Sequence, residues 1–568
     1  MGGSQPSSDC MEKRTLIAFA LSFLILVLWS ALYTPTGKQA PPRGDQPPAA
    51  EEQPPAVEPA PAEPRLESPA APRTQPAGPS PAAEPVPEQV VRVETPLYSA
   101  RWSNAGGLLE SFKLKNYRET ARPNAPRVDL VNLDDSRDGL LAFRFAREGV
   151  EPALPLLYEL SAARVEVTPD SGPKTLVMTG RRADGLVLEQ TYRFYPDRYR
   201  IDLETRAVNR GETPVEGAVS ARMRNLPPPD QKSYYGFVGV ALLLNGELEE
   251  IKPKKMRDEE KRLSGNIAWM AYEDDYFMAS VLPSTPNQGR FRGRTLPSGV
   301  LEADYLAPPV RLGPREQVSA DFSLYLGPRD VEILNAVGND LDEAVNFGWT
   351  DIIAKPLLHA LRFFNGYVHN YGFAILILTV LIKILFWPLT HKSYKSMKEM
   401  QKIQPLMAKL REKYKDNKEQ MNRELMQLYK TYKVNPMGGC LPMLIQIPVF
   451  LALFRVLSSS IELRHAPFVW WINDLSAPDR LFTFPFQIPF MAPPSGIPVL
   501  TLLMGASMFL QQKMSPAPGD PTQAKIMMFL PLIFTFVFIN FPSGLVLYWL
   551  TNNILSIGQQ YRILKKSA

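Results

Sequence analysis

The stretch YGFAILILTVLIKILFWPL, residues 371–389, decides the fold of this chain. All but one of its residues suit an apolar surrounding, and as a helix it is long enough to cross most of a bilayer core. The exception is Lys383, set back from the flank that starts at His391. A cation at that depth costs roughly 2.5–3.5 kcal/mol on insertion scales. The cost falls where the amine meets water, a counter-charge or a headgroup. Two readings stay open at this point. The lysine either bends its stem toward the interface and has no role, or faces a wetted cavity inside a helix bundle.

The residues that follow orient the segment. Residues 391–437 carry twelve Lys/Arg against five Asp/Glu, an excess that assigns this side to the cytoplasm. Met397, Met400, Ile403, Met407, Leu410 and Tyr414 recur at three-to-four spacing. After Asp416-Asn417, Met421, Leu425, Leu428 and Tyr432 repeat it. The spacing predicts two short antiparallel helices zipped along these seams. Their basic surface is either solvated charge or a dock for anionic lipid and ribosomal RNA phosphate. Further transmembrane helices are expected at 438–457, 497–513, 526–541 and 544–561, after the one at 371–390. An aromatic, Pro-rich outer loop (458–496), a cytoplasmic loop (514–525) and a basic cytoplasmic tail (562–568) complete this half.

Toward the N-terminus, residues 331–370 read as an amphipathic interfacial helix region with Trp349 and Tyr367 as interface aromatics. Residues 89–330 change to period two. Ile201 and Leu203 alternate with Asp202 and Glu204, and Asp184-Gly185 separates two strand-like runs. Regular strands without intervening helices predict a β-sandwich, placed in the periplasm by the orientation above. Residues 34–88 are rich in Pro, Ala and Glu and read as an extended linker. Residues 15–33 are apolar, follow Lys13-Arg14 and lack a convincing cleavage site, so a retained first transmembrane helix is expected. Residues 1–14 are then a cytoplasmic N-terminus, and Met11 reads as a natural start preceded by ten residues of tag or early start. Six spans put both termini inside, in a multi-pass protein of the cell inner membrane.

Composition narrows the chemistry. The 568 residues carry a net charge of +5, and a mean hydropathy of −0.15 averages a polar half and an apolar half. Cys10 and Cys440 give no disulfide framework, and the four histidines lack zinc spacing. No Walker loop, GxSxG elbow or HExxH is present. These absences weaken an enzyme reading but leave it open, and no metal or cofactor is expected. Thr379 lies one turn before Lys383, and Gln446, Gln511, Gln512, Thr551, Asn552 and Asn553 come from other spans. Converging, they would line a hydrated pocket with one cation; apart, each makes an ordinary interhelical hydrogen bond. No Asp or Glu occurs in these spans, which argues against a proton-coupled pump.

These residues resemble the YidC/Oxa1/Alb3 family of membrane protein insertases in its Gram-negative form. The resemblance is specific over 342–561: FGW at 347–349, KPL at 355–357, NPMGGCLPMLIQIPVFLALF at 435–454, ELRHAPF at 462–468, QQKMSP at 511–516 and FPSGLVLYW at 541–549. It implies a polytopic α-helical membrane protein with six transmembrane helices, a five-helix insertase core and an all-β periplasmic supersandwich. It also implies a hydrophilic groove open to cytoplasm and lipid and closed outward. Lys383 stands where many members carry a groove arginine. Thr379, Val537, Asn540, Tyr548 and Trp549 fall at positions lining the groove or the substrate path. The basic hairpin, with Lys398, Lys409, Arg411 and Lys413, corresponds to a mobile loop needed for activity. Nascent membrane proteins, the Sec translocon, the ribosome (through hairpin and tail) and lipid are the implied partners; DNA is not among them. The implied function is insertion and chaperoning of inner-membrane proteins, alone or with the translocon and without nucleotide. Two other classes remain on the residues alone: a channel or transporter with a periplasmic ligand-binding domain, and a scaffold whose β domain binds sugar.

Overall fold

The computed structural model describes residues 87–133, 139–147, 155–227, 236–285, 288–432, 434, 441–514 and 521–565. The expected first transmembrane helix at 15–33, nearly all of the linker and residues 435–440 of the NPMGGC motif lie outside the described residues.

Alternation along the chain builds the β domain. In the strand Arg200–Asn209, Ile201 and Leu203 are buried while Glu204 faces solvent. This strand lies antiparallel between Leu186–Phe194 and Gln317–Pro328, with Leu203 opposite Tyr192 and Phe322. The expected hairpin forms between Lys174–Arg181 and Leu186–Phe194. Its turn needs Gly185, whose φ is +84° and whose missing Cβ would lie 2.6 Å from the Gly211 backbone. The strands make a sheet of five and a sheet of fourteen around Trp102, Trp269, Phe143 and Phe291. Among the described residues, one short helix, α1 (Pro253–Asp258), interrupts them.

The expected continuous helix after the β domain is broken. Asp330 caps α2 (Val331–Val337) by accepting from the Glu332 and Ile333 amides. Gly338, Asn339 and Asp340 then adopt positive φ and end it. Two 3-10 turns lead to α3 (Asp351–Val368), whose buried face is Ala354, Leu358 and Leu361. Ile352 is 87% exposed, and the expected interface aromatics Trp349 and Tyr367 are 62% and 72% exposed. Arg362 ties α3 down through Glu462 at 2.6 Å, Glu332 at 3.0 Å and Asp330 at 3.1 Å.

The remaining helices are α4 (Tyr371–Leu385), α5 (Trp387–Lys413), α6 (Lys418–Thr431), α7 (Leu441–Ser459), α8 (Val499–Met514), α9 (Pro521–Phe538) and α10 (Ser543–Lys565). Pro388 cannot donate to the turn before it, and the chain bends there: α5 leaves α4 at 63°. The bend shortens the apolar helix expected over 371–390 to fifteen residues. Among the described residues no single helix is long and apolar enough to cross a membrane; α4 and α5 pass that test only together. The hairpin forms as spaced. Ile403, Met407, Leu425 and Val434 are buried between α5 and α6, and Asn417 caps α6. Tyr432 turns outward. Helices α8 and α9 meet at a small residue: a Cβ on Gly505 would sit 2.1 Å from Thr535 Oγ1.

Polar contacts join the β domain to the helices. Tyr276 donates to Ser458 O at 3.3 Å, and Arg464 donates to Glu119 O at 3.2 Å while stacking over Tyr276 and Phe277. Arg329 donates to Asp274 O at 2.7 Å and to Ala344 O, and lies 3.2 Å from Glu273. Glu273 is 1% exposed and has no hydrogen bond on either carboxylate oxygen. Burial pushes this carboxyl up to about 7, against the pull of Arg329.

Two predictions follow from this packing. Gly505→Ala should lower thermal stability of the whole chain in detergent, by about 1–3 kcal/mol for an overpacked contact. Adding Thr535→Ala should restore most of the loss; independent, additive effects would refute the contact. The Glu273 carboxyl of the unfolded chain titrates near 4.3, so the native state holds its proton to higher pH. The contribution of this group to stability is therefore greatest below about pH 4 and falls as pH rises toward 7, by about 2 kcal/mol or more. Unfolding curves from pH 4 to 8 should be flatter for Glu273→Gln than for the parent.

Candidate functional site

The site is built on α10. Tyr548, Asn552, Ser556 and Gln559 follow one another at i, i+4, i+8 and i+11, so they share a face. Asn553 and Gln560 lie on the adjacent face. Most of this helix is embedded: Tyr548, Asn553, Ser556, Gln559 and Gln560 are all buried. Buried polar groups need partners, and each of these finds one on another helix.

Lys383 projects from α4 into this face. Its ammonium donates to Ser556 Oγ at 2.5 Å and to Asn552 Oδ1 at 3.3 Å. It is 7% exposed. Ser556 in turn donates to Asn552 O at 2.7 Å. The Tyr394 hydroxyl of α5 is hydrogen-bonded to both Ser556 and Gln511, which brings Gln511 of α8 into the same cluster. One turn along, Thr390 and Gln559 exchange hydrogen bonds at 2.9 and 3.2 Å. The second face of α10 reaches α8: Asn553 donates to Ser507 Oγ at 3.0 Å, and Gln560 donates to Met514 O at 2.8 Å. A cavity of about 10 Å³, close to one water in size, lies beside Gln560 between Tyr394, Lys398 and Met514.

The other expected residues fall around this cluster. Thr379 is buried one turn above Lys383 and donates to Ile375 O at 2.6 Å. Gln446 of α7 donates to the Tyr548 hydroxyl at 3.2 Å. Trp549 points elsewhere. It packs among Phe450, Phe538 and Phe534 with ring centroids 4.8, 5.1 and 6.0 Å away. Asn540 is not brought to the cluster. Its side chain accepts from Ala492 N at 2.7 Å and donates to Phe490 O at 2.7 Å, holding the 458–496 loop. Arg480 fastens the same loop through Ile539 O and Pro494 O at 2.9 and 3.0 Å. Val537 is half exposed on the outside of α9. In the hairpin, Lys409 and Lys413 are exposed, Arg411 is half-buried and Lys398 lines the small cavity.

Sequence reasoning singled out Lys383 and missed Ser556, Tyr394, Thr390 and Gln559. The signal for two of them was available: continuing the four-residue step from Tyr548 and Asn552 lands on Ser556 and, one turn further, Gln559. Tyr394 lies past the bend, in what read as a basic cytoplasmic segment, and Thr390 is the last residue of the span expected over 371–390. The electrostatic character of the cluster is plain. One buried ammonium is held by hydroxyls and amides, and α4 and α7–α10 contain no Asp or Glu. Around it, Leu381, Ile384, Leu502, Leu503, Phe529, Leu532, Ile533 and Ile554 form an exposed apolar shell.

Comparisons with known proteins place this geometry. Residues 363–568 match the family described as 60Kd inner membrane protein, and residues 90–360 match the family described as YidC periplasmic domain. The chain is 43% identical to the membrane protein insertase YidC of Pelobacter propionicus, over 98% of this chain and 99% of that one. It is 42% identical to the protein of that name from Syntrophus aciditrophicus, over 98% of this chain and 100% of the relative. Among solved structures it is similar to an active YidC insertase crystal structure with the first transmembrane domain resolved, at 18% identity and a TM-score of 0.36, covering 84% of this chain and 94% of the other. Both halves of the sequence and nearly its whole length are thereby accounted for: the chain belongs to the YidC family of membrane protein insertases, a non-enzymatic family of the inner membrane whose members carry a periplasmic domain.

Proposed function

We propose that this chain inserts and helps fold inner-membrane proteins through the polar cluster around Lys383. The observation that carries the reading is the pairing of that ammonium. It is satisfied by neutral groups, Asn552 and Ser556, inside a bundle with an apolar outer shell. Neutral partners bind an ammonium less strongly than a carboxylate does. A polar or acidic stretch of a nascent chain therefore competes with them on favourable terms, and finds there the stabilisation that lipid denies it.

The route has a direction. On the inner side the cluster leads through Thr390, Tyr394 and Gln560 toward the hairpin and its lysines. On the outer side, Asn540 and Arg480 pin the 458–496 loop across the ends of α8 and α9. A client's hydrophilic part enters from the cytoplasm, occupies the polar seam and leaves laterally. Transfer of the following apolar helix into lipid drives the process, so no nucleotide is consumed. The basic hairpin and tail meet the ribosome or the emerging chain, six spans hold both termini inside, and the Sec translocon takes part for larger clients.

Site-specific crosslinkers at positions 379 and 383 should capture a stalled nascent chain. In reconstituted vesicles Lys383→Glu should reduce insertion of a substrate with an acidic tail by about tenfold or more, the equivalent of one charge-assisted contact. Lys383→Arg should retain it. Full activity of Lys383→Glu would remove this charge from the mechanism.

A further inference from the structure

The chain between α7 and α8 is unusual in what it shows to its surroundings. From Leu481 to Gln512 it carries no charged residue, although α8 begins only at Val499. Before that helix it turns large apolar side chains outward: Phe482, Phe486 and Phe490 are 72%, 62% and 82% exposed. Phe482 and Phe490 have φ of +53° and +66°. Bulky residues seldom accept a left-handed backbone, and one that does points to a use for the direction its side chain takes.

The loop lies on the side of the β domain, as the Tyr276–Ser458 and Arg464–Glu119 hydrogen bonds require. Its tip nevertheless folds back along the helices. The Phe490 ring centroid is 6.1 Å from that of Phe536. Phe536 lies inside α9, two residues before its end, and is 57% exposed. Leu532 and Ile533, one turn deeper in α9, belong to the apolar shell of the bundle. The aromatic surface of the loop therefore continues that shell.

Irregular chain is normally shut out of hydrocarbon, because its N–H and C=O groups go unanswered there. This loop meets that demand internally. Pro485, Pro489, Pro493 and Pro494 have no N–H. The amides of Phe484, Ile488, Met491 and Ala492 donate to Ser495 O, Ser495 Oγ, Ile488 O and Asn540 Oδ1, at 2.7–3.1 Å. Asn540 Nδ2 donates to Phe490 O, and the Arg480 guanidinium at the base of the loop donates to Ala492 O and Pro494 O. Ser495 is buried beneath them at 3% exposure. In water, solvent would serve the same groups and no such provision would be needed.

We infer that the hairpin 481–496 is inserted in the periplasmic leaflet of the membrane, with Phe482, Phe486 and Phe490 among the acyl chains. Phenylalanine lacks the polar handle that keeps Trp and Tyr at headgroup level. A surface without charge has nothing with which to select a headgroup, so insertion is indifferent to lipid charge.

The test uses the full chain in nanodiscs, with Cys10 and Cys440 replaced by serine and a nitroxide attached at Phe486→Cys or Phe490→Cys. Collision with oxygen, which concentrates in hydrocarbon, is compared with collision with a water-soluble nickel chelate. Ile533→Cys on α9 is the lipid reference and Lys254→Cys on α1 the water reference, both at exposed positions. The ratio of oxygen to chelate collisions at 486 and 490 should match that at 533 and exceed that at 254 several-fold, equally in zwitterionic and anionic lipid. Should these variants fail to fold, a label at Gln487→Cys, an exposed polar position, should still be shielded from the chelate relative to 254. A chelate-dominated ratio like that at 254 puts the loop in water and overturns the inference. Shielding from both reagents also overturns it, since another protein surface would then cover the rings.

Discussion

A charged side chain inside an apolar bundle can persist only if its neighbours are committed to it. Here the commitment comes from one helix. The face of α10 that carries Tyr548, Asn552, Ser556 and Gln559 cannot be turned toward lipid without stranding four polar groups. That requirement fixes the rotation of α10, and α4, α5, α7 and α8 are then placed by the hydrogen bonds they supply. Apolar contacts alone would not select one arrangement so firmly, because in lipid an outward leucine is as comfortable as an inward one. The polar seam therefore specifies the bundle.

The β domain answers a different solvent. Its strands hide aromatic and aliphatic residues on one face and show charge on the other, the ordinary solution for a sheet wetted on one side. What joins the two halves is neither of these. Arg329, Arg464 and Arg362 bridge backbone carbonyls and acids at the boundary. Arginine suits this place because its planar fork can serve several oxygens at once and stays charged throughout.

Much of this was legible in the residues. Period-two alternation located the strands around Ile201 and Leu203, and three-to-four spacing located the hairpin seam at Ile403 and Leu425. The family resemblance rested on motifs that the comparisons bear out over nearly the full length. Other features were hidden for physical reasons. The break after α2 depends on three consecutive left-handed residues, of which only Gly338 advertises itself. Asn540 is an amide near an apolar helix, and nothing in its neighbourhood reveals that its partners are the Phe490 carbonyl and the Ala492 amide, some fifty residues away.

The bend at Phe386 has a mechanical meaning. A single residue, Phe386, separates α4 from α5, whose 27 residues make an arm of about 40 Å. Lys383 sits three residues on the other side of the fulcrum. A tilt of about 10° would sweep the far tip of the arm through roughly 7 Å, yet shift the lysine by less than about 1 Å. A displacement of the far end of the arm is thus geared down before it reaches the buried charge, and a large, weak movement there becomes a small, forceful one at the lysine.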